Sequence, residues 1–107
     1  MNRDLSKIND IKKAINSIED YLKSTKFYEL DDIQRFGILY LLQVIGEAAN
    51  LVSDDLKSRH KDIKWKEIIG FRNFVVHQYM NIKWEIVEHV LNVDLSVLKK
   101  QIYSIEL

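Results

Sequence analysis

The chain contains no proline and only three glycines among its 107 residues. Sandwiches and barrels need many tight turns, and these two residues are the usual markers of such turns. Apolar residues instead recur at every third or fourth position through long stretches of the chain, which is the spacing of amphipathic α-helices. The sequence therefore predicts an all-α fold.

Four segments carry this helical spacing. A first helix is expected from Asp4 to about Lys23, and its apolar stripe consists of Leu5, Ile8, Ile11, Ile15, Ile18 and Leu22. Residues 33–52 are apolar on more than one side, which predicts a central helix surrounded by neighbours. Helical character resumes over residues 65–79, and a last helix from about Lys83 carries the stripe Trp84, Val87, Leu91, Leu95, Leu98 and Ile102. Residues 53–64 are interpreted as a helix end and a surface loop, so a bundle of four or five helices is expected.

The length and composition indicate one compact domain over residues 1–107. A chain of this size leaves little room for a second independent core, and 47% of its residues are hydrophobic and 30% charged, as in globular proteins. Trp65 and Trp84 are expected to anchor the packing. Cysteine is absent, which excludes disulfides, thiolate zinc sites and a cysteine nucleophile.

Charge and hydropathy limit the partners that this chain can have. Sixteen basic and sixteen acidic side chains give a formal net charge of zero, so any contact with RNA must rely on a local cluster rather than on a global positive field. The first residues lack the apolar core of a signal peptide, and no apolar run approaches the ~20 residues that span a bilayer. We expect a cytoplasmic protein that does not contact a membrane.

One short segment brings together an arginine, an amide, a histidine and a tyrosine: Arg72, Asn73, His77 and Tyr79. At about 100° per residue, an unbroken helix places all four on one side. Metal-independent RNA cleavage needs a base, an acid and fixed positive charge, and a histidine and an arginine fork suit these roles. A two-fold dimer that apposes this face with its copy would supply two arginines and two histidines in one cleft.

The spacing Arg72-Asn73-x-x-x-His77-x-Tyr79 resembles the signature of HepT-like toxins in the HEPN superfamily. Residues 45–49, with the sequence IGEAA, resemble the mid-chain element of that family, residues 65–70, WKEIIG, resemble its approach to the motif, and the final helix resembles its C-terminal element. The resemblance spans nearly the whole chain and implies a dimeric HEPN-type bundle. Lys64 and Gln78 depart from the residues common in the family, which concerns loop shape more than catalysis.

The resemblance also implies a function. It implies a metal-independent endoribonuclease, the toxin of a type II HEPN/MNT toxin–antitoxin system, in which Arg72 and His77 are catalytic and Asn73 supports them. The cognate minimal nucleotidyltransferase antitoxin would transfer AMP from ATP to Tyr79, whereas RNA cleavage itself would need no cofactor. The family's substrates include tRNA and mRNA, and toxin dimers can combine with antitoxins into larger hetero-oligomers.

Other polar residues are weaker candidates. Lys57, Arg59 and Lys61 lie in a basic stretch that could guide RNA through phosphate contacts, although such a run is more often a solvated loop. His60 and His89 have no partner at metal-ligand spacing, and the acidic residues form no recognisable ligand set. We therefore expect no metal site.

Two alternatives to the enzyme remain open from the residues. Arg72 could simply pair with a carboxylate such as Glu67 or Glu47. Separately, the chain could be a catalytically silent helical module that binds a nucleotidyltransferase and helps present its substrate. It could also be a helical adaptor. The small side chains around Gly46 predict a close helix contact, within the chain or between subunits, through which such an adaptor would dimerise.

Overall fold

The computed structural model describes residues 2–73 and 82–107, and over these residues the chain is helical. The elements are α1 (Asn2–Leu22), a 3-10 turn (Phe27–Glu29), α2 (Asp32–Leu51), α3 (Asp54–Arg59) and α4 (Trp65–Ile69), which continues into a second 3-10 turn (Gly70–Arg72). The last helix, α5, begins as Trp84–His89, passes through a π-helical turn (Val90–Asp94) and ends as Leu95–Tyr103. The predicted bundle of four or five helices is confirmed. None of the helices described here is long and apolar enough to cross a membrane.

The predicted stripe of α1 forms one side of the core. Its buried members are Ile8, Ile11, Ile15 and Ile18. The prediction is wrong for Leu5, which is exposed, because the preceding residue, Asp4, takes the inward position. The Asp4 carboxylate accepts hydrogen bonds from the Ser53 backbone N–H at 2.8 Å and from the Ser53 hydroxyl at 2.7 Å. This buried carboxylate therefore ties the start of α1 to the start of α3.

Helix α2 begins directly after Asp31, which is its N-cap. The Asp31 carboxylate accepts from the Gln34 N–H at 2.8 Å, and the Gln34 side chain accepts from the Asp31 N–H at 2.9 Å, which forms a capping box. The helix packs against α1 on one side and against α4 with its 3-10 turn on another. In the described structure it is not surrounded, since Ile33 is 83% exposed and Tyr40 is 63% exposed.

Residues 54–59 form a helix of their own where a loop was expected. The Ser53 hydroxyl accepts from the Leu56 N–H at 3.1 Å, so Ser53 is the N-cap of α3. Asp54 and Asp55 lie in the first turn, where the helix dipole stabilises carboxylates, and Leu56 is fully buried. A cap, a favourable first turn and one apolar anchor are enough for this short helix.

The helix expected over residues 65–79 is not one continuous α-helix. Its α-helical part ends at Ile69 and tightens into the 3-10 turn Gly70–Arg72, where glycine has low helix propensity. Trp65 is buried and its indole N–H donates to the His60 carbonyl at 3.1 Å, which confirms it as a packing anchor. His77 and Tyr79 lie outside the described residues.

Helix α5 closes the core with its predicted stripe, to which the structure adds Val90. The buried residues are Val87, Val90, Leu91, Leu95, Leu98 and Ile102. The Leu95 N–H donates to the carbonyl of Val90, five residues earlier, which marks the π-helical turn. Trp84, at the start of α5, is half-buried and lies 6.0 Å from the ring of Phe27 and 6.0 Å from the ring of Phe36. Trp84 therefore holds the start of α5 against the beginning of α2, which agrees with the anchor role expected of it.

Candidate active site

The backbone of Arg72 lies directly on α2 at Gly46. A Cβ atom added to Gly46 would lie 2.7 Å from the Arg72 backbone nitrogen and 2.9 Å from the Ile69 carbonyl oxygen. Only glycine allows two backbones to approach this closely. The close contact predicted at Gly46 therefore exists within the chain. The surface through which a simple adaptor was expected to dimerise is filled by the chain's own 3-10 turn.

The guanidinium of Arg72 is held by the next residue of α2. Its Nη1 atom lies 2.9 Å from Oε1 of Glu47, which is the ion pair that the sequence offered as one of two choices. The Arg72 side chain is 38% exposed and that of Glu47 is 56% exposed, so the pair contributes only about 0 to 1 kcal/mol to stability. Its main effect is to orient the guanidinium.

Most of the donor capacity of Arg72 is unused by the residues that the structure describes. A guanidinium has five N–H donors in a planar fork, and the Glu47 carboxylate is the polar partner that it has among the described residues. The remaining donors can form charge-assisted hydrogen bonds with a phosphate, for which the fork geometry is well suited. Within residues 2–73 and 82–107, Arg72 thus combines a fixed position with a partly exposed cationic edge.

Two described residues that flank the rest of the motif, Arg72 before it and Trp84 after it, both contact α2. Arg72 contacts α2 at Glu47, and Trp84 contacts α2 at Phe36. Eleven residues of helix separate these two points, or about 16 Å along the axis. Asn73 is exposed and follows Arg72 directly. Of the four predicted site residues, the structure places Arg72 and Asn73 together at this end of α2, and the other two stay predictions.

The basic residues expected to contact RNA are largely engaged in local contacts. The Lys57 ammonium donates to the Asn50 carbonyl at 3.3 Å, and the Arg59 guanidinium pairs with Asp55 at 3.2 Å. Both lie on α3 rather than in a loop. Lys61 is exposed in the turn that follows and forms no ion pair within residues 2–73 and 82–107. Of the three, Lys61 is the one best able to attract a phosphate.

Sequence reasoning missed the outward face of α2, which we define as Ile33, Phe36, Gly37, Tyr40, Gln43, Val44, Glu47 and Leu51. At about 100° per residue, these eight positions fall within an arc of roughly 120°. Their spacing of three and four was visible in the sequence, but it was interpreted as a second buried side of a central helix.

No group of three His, Cys, Asp or Glu side chains within the described ranges could hold a metal ion.

The described structure is that of a small all-α protein in which the segment with Arg72 and Asn73 packs against the central helix α2. Comparison of the sequence with protein-family models identifies the family: residues 11–105 match the model described as "Ribonuclease HepT-like". The chain belongs to the HepT-like ribonuclease family. RNA is the substrate class that this membership implies.

Three relatives show how far the similarity extends. "Putative RNase MJ1380" of Methanocaldococcus jannaschii is 25% identical over 95 residues, which cover 87% of each chain. "Probable ribonuclease HepT" of Thermococcus cleftensis is 28% identical over 94 residues, or 86% of each chain. "Putative RNase TTE0752" of Caldanaerobacter subterraneus is 27% identical over 89 residues, which cover 83% of this chain and 73% of the relative. No solved structure matches.

Proposed function

We propose that this protein is a metal-independent endoribonuclease that acts as the toxin of a toxin–antitoxin system. The observation that carries the proposal is the placement of Arg72: its backbone lies against Gly46, Glu47 orients its guanidinium, and among the described residues its other donors have no further polar partner. A fixed cation with a free edge is what stabilises a phosphorane-like transition state, because it needs little reorganisation during the reaction.

The reaction follows from the chemistry of Arg72 and His77. The ribose 2′-oxygen attacks the adjacent phosphorus, the bond from phosphorus to the 5′-oxygen breaks, and the products are a 2′,3′-cyclic phosphate and a free 5′-hydroxyl. A base removes the proton of the 2′-hydroxyl, and an acid supplies a proton to the leaving 5′-oxygen. His77 serves one of these proton transfers, Arg72 neutralises the phosphate, and Asn73 orients the phosphate or the histidine.

We further propose that the working unit is a homodimer. One chain supplies one arginine and one histidine of the motif, whereas the reaction uses both a base and an acid. A second copy related by a two-fold axis brings a second set of these groups to the same cleft. Two equivalent histidines in one cleft can exchange the acid and base roles.

Neutralisation by a nucleotidyltransferase antitoxin is the regulatory part of the proposal. AMP transferred from ATP to the Tyr79 hydroxyl adds a phosphodiester anion and a nucleoside near Arg72 in the sequence. Such a group both fills the cleft and pairs with the charge that binds RNA phosphate. The RNA cut by the free toxin is tRNA or mRNA.

Growth arrest tests the catalytic assignment. We expect expression of the wild-type chain alone to halt cell growth and degrade RNA, and His77→Ala and Arg72→Ala to relieve both effects. The purified wild type should cleave RNA in the presence of EDTA. Equal toxicity of the wild type and both variants would remove Arg72 and His77 from the chemistry, and folded protein without RNA cleavage would favour the silent binding module.

Intact-mass measurement tests the modification. After incubation with the antitoxin and ATP, the chain should gain the mass of one or more AMP groups, and Tyr79→Phe should gain none. An unchanged mass in the wild type, or a mass gain that survives in Tyr79→Phe, would contradict the assignment of Tyr79. The toxin's RNase assay on the same samples should show loss of cleavage in proportion to the modified fraction.

A further inference from the structure

Three lysines lie together where the end of α5 packs against α1: Lys12 of α1, and Lys99 and Lys100 of α5. We call them the lysine cluster. Within residues 2–73 and 82–107, Glu19 forms an ion pair with Lys99, whereas Lys12 and Lys100 form none. The cluster therefore keeps a net positive charge. Since the chain as a whole has a formal net charge of zero, such a local excess of cations is where an anion is attracted.

The ring of Tyr103 brings two of these cations to one place. The Lys12 ammonium lies 4.9 Å from the ring centroid, and the Lys99 ammonium lies 5.9 Å from it. Both distances are in the range of cation–π attraction. The two ammonium groups are thus at most about 11 Å apart, which is close to one Debye length at 0.1 M salt. Their fields therefore overlap at one point of the surface.

Hydrogen bonds between α1 and α5 hold this arrangement. The Asn16 side-chain amide donates to the Tyr103 hydroxyl at 2.9 Å, and the Lys99 ammonium donates to Oε1 of Glu19 at 2.6 Å. A surface lysine ordinarily samples many rotamers, and ordering it opposes binding. Because contacts within the chain already order Lys12 and Lys99, an anion that binds between them meets a preorganised site.

Stability alone does not account for the cluster. Lys99 and Glu19 are both partly exposed, and ion pairs of that kind contribute little to folding. Placing Lys12 and Lys100 beside Lys99 adds repulsion between like charges, and neither has a carboxylate partner in the described chain. An anionic ligand would turn this repulsion into attraction.

We propose that the lysine cluster is an RNA exosite, a surface apart from Arg72 that binds the backbone phosphates of the substrate. The inference rests on the proposed ribonuclease function and adds how the enzyme holds a long RNA. RNA suits the cluster because its repeated phosphates can contact several ammonium groups at once. It is also the polyanion that membership of this family implies.

The exosite and Arg72 lie on different sides of α1. Lys7 and Asp10 of α1 line a groove beside α2 together with Glu47, which is the partner of Arg72. Lys12 follows Lys7 by five residues and therefore lies about 140° further around the helix. An RNA that contacts both sites must pass around α1, which is about 10 Å thick. A folded tRNA or an mRNA is long enough for this path, whereas a trinucleotide is too short.

Fluorescence anisotropy over a range of salt concentrations tests the exosite. The probe is a long single-stranded RNA that is fully 2′-O-methylated, so it lacks the attacking hydroxyl and stays intact. Lys12→Gln/Lys100→Gln should reduce the slope of log K against log salt by about 1.4, or about 0.7 for each lost phosphate contact. Its affinity at 0.1 M salt should fall by about tenfold or more. Wild-type affinity and slope in this variant would overturn the inference.

Lys23→Gln/Lys26→Gln is the matched control. It removes the same charge from two exposed lysines outside the cluster, and it should bind RNA with nearly the wild-type slope. Equal losses in the two double variants would show an effect of net charge alone and would overturn the exosite. Lys100→Gln by itself changes an exposed side chain. It should keep the fold by circular dichroism and lose about half of the slope change.

A pair of substitutions at Tyr103 tests the role of the ring without a change of charge. Tyr103→Phe keeps the aromatic face and should bind RNA almost as the wild type does. Tyr103→Leu removes the face that attracts Lys12 and Lys99, so it should bind about threefold more weakly. Equal affinities of the Phe and Leu variants would contradict the part assigned to the ring.

Steady-state cleavage separates the exosite from the active site. For a tRNA or mRNA substrate, Lys12→Gln/Lys100→Gln should raise KM by about tenfold and leave kcat unchanged. For a trinucleotide, kcat/KM should equal that of the wild type. A loss of kcat/KM on the trinucleotide as large as on the long RNA would place these lysines in the active site and overturn the exosite.

Two further outcomes distinguish this inference from the proposed function. A wild type that binds RNA through the cluster but does not cleave it removes the enzyme and keeps the RNA contact. Cleavage that persists while Lys12→Gln/Lys100→Gln binds RNA as the wild type does removes the exosite alone. The same variants are also tested on vesicles that contain phosphatidylserine. Loss of vesicle binding with unchanged RNA binding would assign the cluster to an anionic lipid surface and overturn the RNA assignment.

Discussion

Replacing Gly46 with alanine perturbs the position of Arg72 without touching its side chain. The added Cβ atom would lie 2.7 Å from the Arg72 backbone nitrogen and 2.9 Å from the Ile69 carbonyl oxygen. Both neighbours are backbone atoms, which cannot rotate away as a flexible side chain could. The 3-10 turn must therefore move away from α2 by several tenths of an ångström, and the guanidinium moves with it.

The magnitude combines two opposing contributions. Overpacking of this kind costs about 1 to 3 kcal/mol, and rigid backbone neighbours place it at the upper end of that range. Alanine returns about 1 kcal/mol through its higher helix propensity. The net loss of unfolding free energy is about 2 kcal/mol, which lowers Tm by about 8 °C in a domain of this size. Misplacement of Arg72 should also slow RNA cleavage by about tenfold.

Thermal unfolding and RNA cleavage of the purified variant measure both effects, with Gly70→Ala as the control. Gly70 has right-handed helical backbone angles, and a Cβ atom there meets no atom of the described residues within 4 Å. Alanine at this position should stabilise the protein by about 0.4 to 1 kcal/mol, mainly by restricting the unfolded chain. Wild-type stability in Gly46→Ala, or equal effects of the two substitutions, would refute the close contact between α2 and Arg72.

Three further predictions follow from the contacts described. Hydrogen bonds from Ser53 lower the pKa of Asp4, so its contribution is present above the unfolded carboxyl pKa of about 3.9 and is lost as pH falls through the lower folded value. Asp4→Asn should therefore cost about 1 to 3 kcal/mol at pH 7 and much less near pH 2, measured by urea unfolding; equal costs at both pH values would contradict this. Glu47→Gln should change stability by less than about 1 kcal/mol, yet alter cleavage because Arg72 loses its orienting charge; wild-type kinetics would show that the pair is incidental. Lys61→Ala should reduce the salt dependence of RNA binding by about one phosphate contact, and an unchanged slope would remove Lys61 from the RNA path.

The fold was largely predictable from the sequence because burial follows spacing. The predicted stripes of α1 and α5 identified the buried faces of these two helices. The prediction failed where a polar side chain is buried because it has hydrogen-bond partners inside the protein. Asp4 displaces Leu5 from the core because Ser53 supplies two hydrogen bonds, and these connect residues 49 positions apart in the chain. Local pattern does not reveal such a partner.

The composition of the candidate site stays a prediction, and the sequence indicated only part of the contacts that hold Arg72. The motif identified Arg72, and Glu47 was one of two carboxylates offered as its partner. The selection of Glu47 over Glu67 depends on how α4 packs on α2, which Gly46 decides through a contact between backbones. The outward face of α2 was misinterpreted because its apolar spacing predicts a buried side, whereas Ile33 and Tyr40 are exposed in the described structure.

Single-turnover cleavage of a single-stranded RNA in the presence of EDTA tests the central role of Arg72 most directly. The wild type should keep its rate in EDTA and leave 2′,3′-cyclic phosphate ends, and Arg72→Ala should cleave about 100-fold more slowly or worse with its fold intact. A wild type that EDTA silences, or an Arg72→Ala variant as fast as the wild type, would contradict the account.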